Sequence, residues 1–223
     1  MATRLYPAGA STPITPAPGN AWEVTTSFNR AAASIDPADY AFYNLAGNGT
    51  GTANDDRLGL QLIYGPLAGG SISGTVKGQC LAREAAAGSD ARTQALIRVI
   101  APDGSTVRGT LLAFDTAALS SEFPVSTNVR TNRQVPRGGA VSLSAVTATA
   151  GDYLVIEAGW RNHGVNTGVV RVDYGSALPV TTDLPEDETT DSSAAIYRGW
   201  FEFSQTLALA GAGLVRAHGY IVG

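Results

Sequence analysis

The sequence predicts an all-β protein: a two-sheet antiparallel β-sandwich of jelly-roll type with extended N- and C-terminal arms. Three observations predict it. Residues 151–161, Gly-Asp-Tyr-Leu-Val-Ile-Glu-Ala-Gly-Trp-Arg, are a strand signal opened by a Gly-Asp turn. Read with period two, Leu154, Ile156, Ala158 and Trp160 share one face, and Tyr153, Val155, Glu157 and Gly159 the other. Two partly apolar faces place this strand centrally in a sheet, with a second layer over it. Residues 95–100 and 107–112 are apolar runs on either side of Ala101-Pro102-Asp103-Gly104-Ser105-Thr106, which reads as a hairpin. Pro102 presets φ there and Gly104 supplies a positive one. Finally, 26 glycines and no long helical periodicity argue against helices.

Taken in order, residues 1–21 form a Pro-rich extended N-terminal arm, since Pro7, Pro13, Pro16 and Pro18 oppose both helix and central strand. Residues 22–205 are the sandwich domain. Trp22-Glu23-Val24-Thr25 is a short strand. Residues 34–39 are a turn or a single helical turn, with Asp36 as cap and Pro37 at the first helical position. Residues 47–56, rich in Gly and Asn, form a surface loop. Its Gly-x-Gly-x-Gly spacing does not open a helix after a strand, so it is not a dinucleotide fingerprint. Strands follow over 58–64 and 71–81. In the second of these Ile72, Val76 and Cys80 alternate with Ser73, Thr75, Lys77 and Gln79. Residues 115–137 read as an irregular crossing connection. Further strands cover 141–146, 151–161, 169–174 and 200–204, with a long loop over 175–195. An apolar C-terminal arm, 206–223, carries too much Gly for a helix. Parallel βαβ sheets are excluded because crossover helices are missing.

The net charge of −4 argues against a nucleic-acid partner held through its phosphates. No apolar run reaches the ~18 residues of a membrane span. The N-terminal residues show no apolar signal core, so synthesis in a cytoplasm is expected. One cysteine, Cys80, permits no intrachain disulfide and reads as a small core residue.

The candidate sites are few. His163 and His218 are the two histidines, and no Gly-x-Ser-x-Gly elbow accompanies them. The expectation is therefore that the chain is not an enzyme and needs no cofactor. One Cys and two distant His make no zinc spacing. Five carboxylates fall within residues 183–191, and four of them, Asp183, Glu186, Asp187 and Glu188, form a candidate calcium loop, with Asp173 as a further ligand. The bland alternative is a solvated acidic loop. Glu157 could face a cleft as one half of a glycosidase pair, but it is better read as paired with a strand arginine such as Arg98 or Arg171. Tyr40, Phe42, Tyr43, Trp160, Tyr174, Tyr197 and Trp200 could form a sugar platform. For most of them core packing is the expected role, with Trp160 and Trp200 carrying the sandwich core.

Several segments also share a recognisable phrasing. They are Thr3-Arg4-Leu5-Tyr6, Pro66-Leu67 with residues 71–79 (Ser-Ile-Ser-Gly-Thr-Val-Lys-Gly-Gln), residues 96–112, Ser120-Ser121-Glu122-Phe123, residues 151–161, and Asp183-Leu184-Pro185-Glu186-Asp187-Glu188 leading to Trp200-Phe201-Glu202-Phe203-Ser204. Over roughly 3–6 and 60–204 the chain resembles jelly-roll structural proteins of the virions of tailed bacteriophages and prophages. The resemblance implies a non-enzymatic virion structural protein, a capsid decoration protein or a tail or fibre subunit. It also implies homo-oligomers, other virion proteins as partners and location in the virion. The alternative is a carbohydrate-binding, receptor-recognising sandwich module of a phage particle, with a host glycan as partner.

Overall fold

The computed structural model describes residues 1–9, 12, 14–25, 27–48, 52–116, 121–177, 179–194 and 196–211. Its strands are β1 (Thr3–Ala8), β2 (Asn29–Ser34), β3 (Tyr43–Asn48), β4 (Asp55–Tyr64), β5 (Gly70–Ile72), β6 (Thr75–Glu84), β7 (Ala91–Ile100) and β8 (Val107–Leu112). They continue with β9 (Thr131–Gln134), β10 (Val141–Ser142), β11 (Val146–Ala148), β12 (Tyr153–Asn162), β13 (Val169–Tyr174), β14 (Thr182–Asp183), β15 (Tyr197–Arg198) and β16 (Trp200–Phe203). Helix is confined, among the described residues, to single 3-10 turns at Pro37–Asp39 and Ser192–Ala194. The first is capped as expected, with the Asp36 carboxylate accepting from the Ala38 N–H at 2.8 Å.

A continuous ladder runs β3-β13-β6-β16-β1-β2-β4-β12-β7-β8. It makes two layers because β1 changes partners midway. Residues 3–5 pair with β16, and residues 6–8 pair with β2. Sheet A centres on β6, which has β13 and then β16 along one edge and β9 and β10 along the other. Sheet B is β1-β2-β4-β12-β7-β8, and β12 pairs with both β4 and β7 along its full length. Sheet B is mixed rather than purely antiparallel, because β2 runs parallel to β4, whereas the pairs of sheet A are antiparallel.

Between the layers, Leu60, Leu62, Ile97, Val99, Leu154, Ile156 and Trp160 of sheet B meet Val76, Cys80, Val172, Tyr174, Phe201 and Phe203 of sheet A. Each such side chain contributes roughly 1.5–3 kcal/mol by leaving water. The face predicted for β12 is therefore the core face. Trp200 is not. It alternates with Phe201, so it points out of sheet A into a second cluster with Tyr6, Tyr40, Leu81 and Leu184.

Of the segment expected as an N-terminal arm, 1–21, the described residues 1–9 and 14–21 are built into the fold. β1 sits inside the ladder despite Pro7. The Pro7 carbonyl accepts from Ala41, away from β2, so the missing N–H would also have pointed away and no ladder bond is lost. Residues 14–24 then lie over the outer face of sheet B, where Ile14 packs on Ile63, Ile100 and Val155. Trp22 packs there on Leu58 and Leu96. The described start of the C-terminal arm is also seated. Leu207 is buried, and Ala68 and Ala210 exchange backbone bonds with residues 208 and 66. Residues 212–223 lie outside the described residues.

The hairpin between β7 and β8 forms as its turn residues require. Gly104 has φ +74° and donates to Ala101, while the Asp103 carboxylate collects the Ser105 and Thr106 N–H groups.

Candidate functional site

The acidic loop closes over the outer face of sheet A, and its carboxylates meet protein donors. Asp183 takes Arg4 at 2.9 Å, Arg198 at 2.9 Å and the Tyr6 hydroxyl at 2.7 Å. Together these donors hold its carboxyl below the usual range despite burial. Glu186 takes Lys77, and Glu188 takes the Ser121 hydroxyl. Asp187 takes the N–H groups of Thr189 and Thr190 and the Asn132 amide. The expected calcium loop of Asp183, Glu186, Asp187 and Glu188 is corrected accordingly. Its carboxylates diverge to separate partners, and among the described residues no three His, Cys, Asp or Glu side chains converge for a metal. Asp173, its suggested fifth ligand, lies under arginines instead.

Glu157 is fully buried on the outer face of sheet B. It accepts from Gly19 N, Trp22 Nε1, Gln61 Nε2 and Arg98 Nη2 at 2.8–3.2 Å. Arg98 is one of the two partners its strand position suggested. The carboxylate is thereby sealed under residues 14–24 and cannot face a substrate. Trp160, Trp200, Tyr40 and Tyr174 are buried, and Phe42, Tyr43 and Tyr197 are half-buried. The indole of Trp200 is further covered by the Arg4 guanidinium at 3.9 Å. His163 follows β12 beside Arg92, Arg137 and Arg161. Burial, first, and these three cations push its pKa down. His218 lies outside the described residues.

A cleft that the sequence did not reveal opens where β8 leaves β7. The ladder between them ends at the Ile97–Leu112 pair. Beyond it the Gln94 side chain replaces the lost neighbour. Its amide donates to Asp115 O at 3.0 Å, and its oxygen accepts from Asp115 N at 3.2 Å. The space between is a cleft of about 190 Å³, lined by Thr93, Gln94 and Ala95 of β7, by residues 112–115, and by Pro136, Arg137 and Val141. Arg137 is nearly buried and holds Asp115 through both its carbonyl (2.7 Å) and its carboxylate (3.1 Å). The Asp115 side chain stays 42% exposed, so its carboxylate opens to solvent at the cleft. Phe114 forms an apolar wall and meets Trp22 edge-on with ring centroids 4.7 Å apart. Next to the cleft, Gln94 also donates to Asp56, which pairs with Arg161 at 2.6 Å. Burial pushes the Asp56 carboxyl up to about 6, against the pull of Gln94 and Arg161. The available signal was the Phe114-Asp115 pair directly after a predicted strand end. Its partner Arg137 lies 22 residues further on, and only the fold joins them.

No protein-family model and no curated protein matches this chain. Among solved structures, it is similar to a CocE/NonD family hydrolase from Staphylococcus aureus, at 11% identity and a TM-score of 0.45. The match covers 78% of this chain and 34% of the hydrolase, so the chain spans about a third of that protein's length. The expected non-enzymatic virion structural role is corrected at this point: the similar solved structure is a hydrolase and not a virion protein. A likeness this distant carries no activity to this chain.

Proposed function

We propose that this chain is a ligand-binding β-sandwich domain that takes a small hydroxylated molecule in the cleft beside β7. The observation that supports it most is the mixed lining: the Asp115–Arg137 pair and the Gln94 amide on one side, Leu112, Phe114, Pro136 and Val141 on the other. The Asp115 carboxylate offers an acceptor to a ligand hydroxyl, and Arg137, whose side chain is 1% exposed, holds that carboxylate in place. The apolar wall suits the C–H face of the same molecule. The Asp115 side chain reaches solvent, so a ligand can meet it without unfolding any strand. No reaction is assigned to the cleft.

The test is an NMR titration with a panel of free monosaccharides and polyols on the native chain and on Asp115→Asn and Phe114→Ala. Binding that weakens about tenfold in Asp115→Asn, the loss of one good polar contact, supports the reading. Circular dichroism confirms that each variant is folded. A panel without binders, or binding equal in the native chain and both variants, overturns it.

A further inference from the structure

The outer face of sheet A has two charged ends, and they are not alike. Near β16, Arg4, Lys77 and Arg198 are matched by Asp183, Glu186 and Glu202. At the other end, Arg83 of β6 and Arg171 of β13 stand directly across from each other in the ladder. Like charges so placed repel. Arg130 joins them, and one carboxylate, Asp173, faces all three. The nearby loop carboxylates are engaged elsewhere, Asp191 with Ser193 and Glu188 with Ser121.

Hydrogen bonding leaves the cluster unfinished. Arg83 is 8% exposed, and its Nε is buried without an acceptor. Its Nη1 is held by the Ser126 carbonyl at 2.7 Å. The Arg130 Nε meets the Asp173 carboxylate as a close ion pair outside hydrogen-bond alignment. Arg171 spends Nε on Asn44, and it and Arg130 are only half-buried, so the cluster reaches solvent through them. A buried donor without an acceptor, as at Arg83 Nε, calls for a missing group. Three guanidiniums over one carboxylate call for negative charge. Guanidinium forks match a tetrahedral oxyanion.

We infer that Arg83, Arg130 and Arg171 form a binding site for a phosphate or sulfate group. The group would share the three guanidiniums with Asp173 and relieve the Arg83–Arg171 repulsion. The site lies on sheet A, apart from the cleft beside β7, and stands or falls independently of it.

Thermal unfolding with inorganic phosphate or sulfate, against chloride at equal ionic strength, tests this. The native chain gains stability with anion concentration, as for a ligand of the folded state alone. Arg171→Gln loses that gain, whatever its stability in chloride, where the lost repulsion from Arg83 is opposed by the lost attraction to Asp173 and the lost bond to Asn44. Arg171→Lys keeps the charge without the fork and binds phosphate about tenfold more weakly. If phosphate and sulfate act no better than chloride, or act equally on the native chain and Arg171→Gln, the inference is overturned.

Discussion

Glu157 and Asp173 are buried carboxylates on the outer faces of the two sheets, both with 0% exposure, and the fold treats them in opposite ways. Glu157 meets one guanidinium and three neutral donors, all in hydrogen-bond geometry. Asp173 meets three guanidiniums and has no aligned hydrogen bond on either oxygen. Burial pushes Asp173 up to about 6, and Arg130, Arg171 and Arg83 only partly offset this. A buried charge can be settled by hydrogen bonds or by opposite charge. The first choice locks residues 14–24 onto sheet B. The second leaves an excess of positive charge on sheet A.

The largest way to break the contrast is Glu157→Ala. It strands Arg98 and the donors of Gly19 and Trp22, and should cost about 3–5 kcal/mol by chemical denaturation. Limited proteolysis should then cut within 14–24, while the native chain resists there. If the segment stays protected in a folded variant, Glu157 is not what holds it.

The second effect is on pH. Asp173 and Asp56 both have pKa values raised to about 6, so the folded state holds their protons more tightly than the unfolded chain does. Stability should therefore fall as pH rises from about 4 to about 6, by at most on the order of 1.4 kcal/mol per pH unit for each group. Above that window the loss is complete. Asp173→Asn should remove its share of the slope and leave that of Asp56. An unchanged slope would show that Asp173 does not titrate there.

Arg130→Gln comes third. It removes the leading cation beside Asp173, but Arg83 and Arg171 remain, so a cost of about 1–2 kcal/mol is expected. The Asp173 pKa should rise further, read from its carboxyl carbon by NMR. Smallest is Trp22→Phe, which keeps a ring against Phe114 but loses the indole bond to Glu157. About 1 kcal/mol should be lost, with the 14–24 segment still in place.

Much of the fold was legible because its signals are local. Alternation in 151–161 named the core face of β12, and Pro102-Asp103-Gly104 named the hairpin turn. Asp36-Pro37 named the capped turn. Each rests on backbone preferences or a period of two, which neighbouring residues set by themselves. Trp200 shows where such signals stop. Its strand was evident, but which of Trp200 and Phe201 faces the sandwich depends on the second layer. Pro7 shows the same for pairing, since a proline is harmful in a strand only if its missing N–H would have faced a partner.

The sequence by itself determined an all-β chain, its central strand and its main turns. Only the tertiary structure decided that β1 links the two sheets, that residues 14–24 seal Glu157, and that the acidic loop is spent on Arg4, Arg198 and Lys77. It also decided that Gln94, Asp115 and Arg137 meet around one cleft. The physical reason is range. Strand and turn preferences act over a few residues, whereas charge pairing and burial join groups more than a hundred residues apart, as with Gly19 and Glu157.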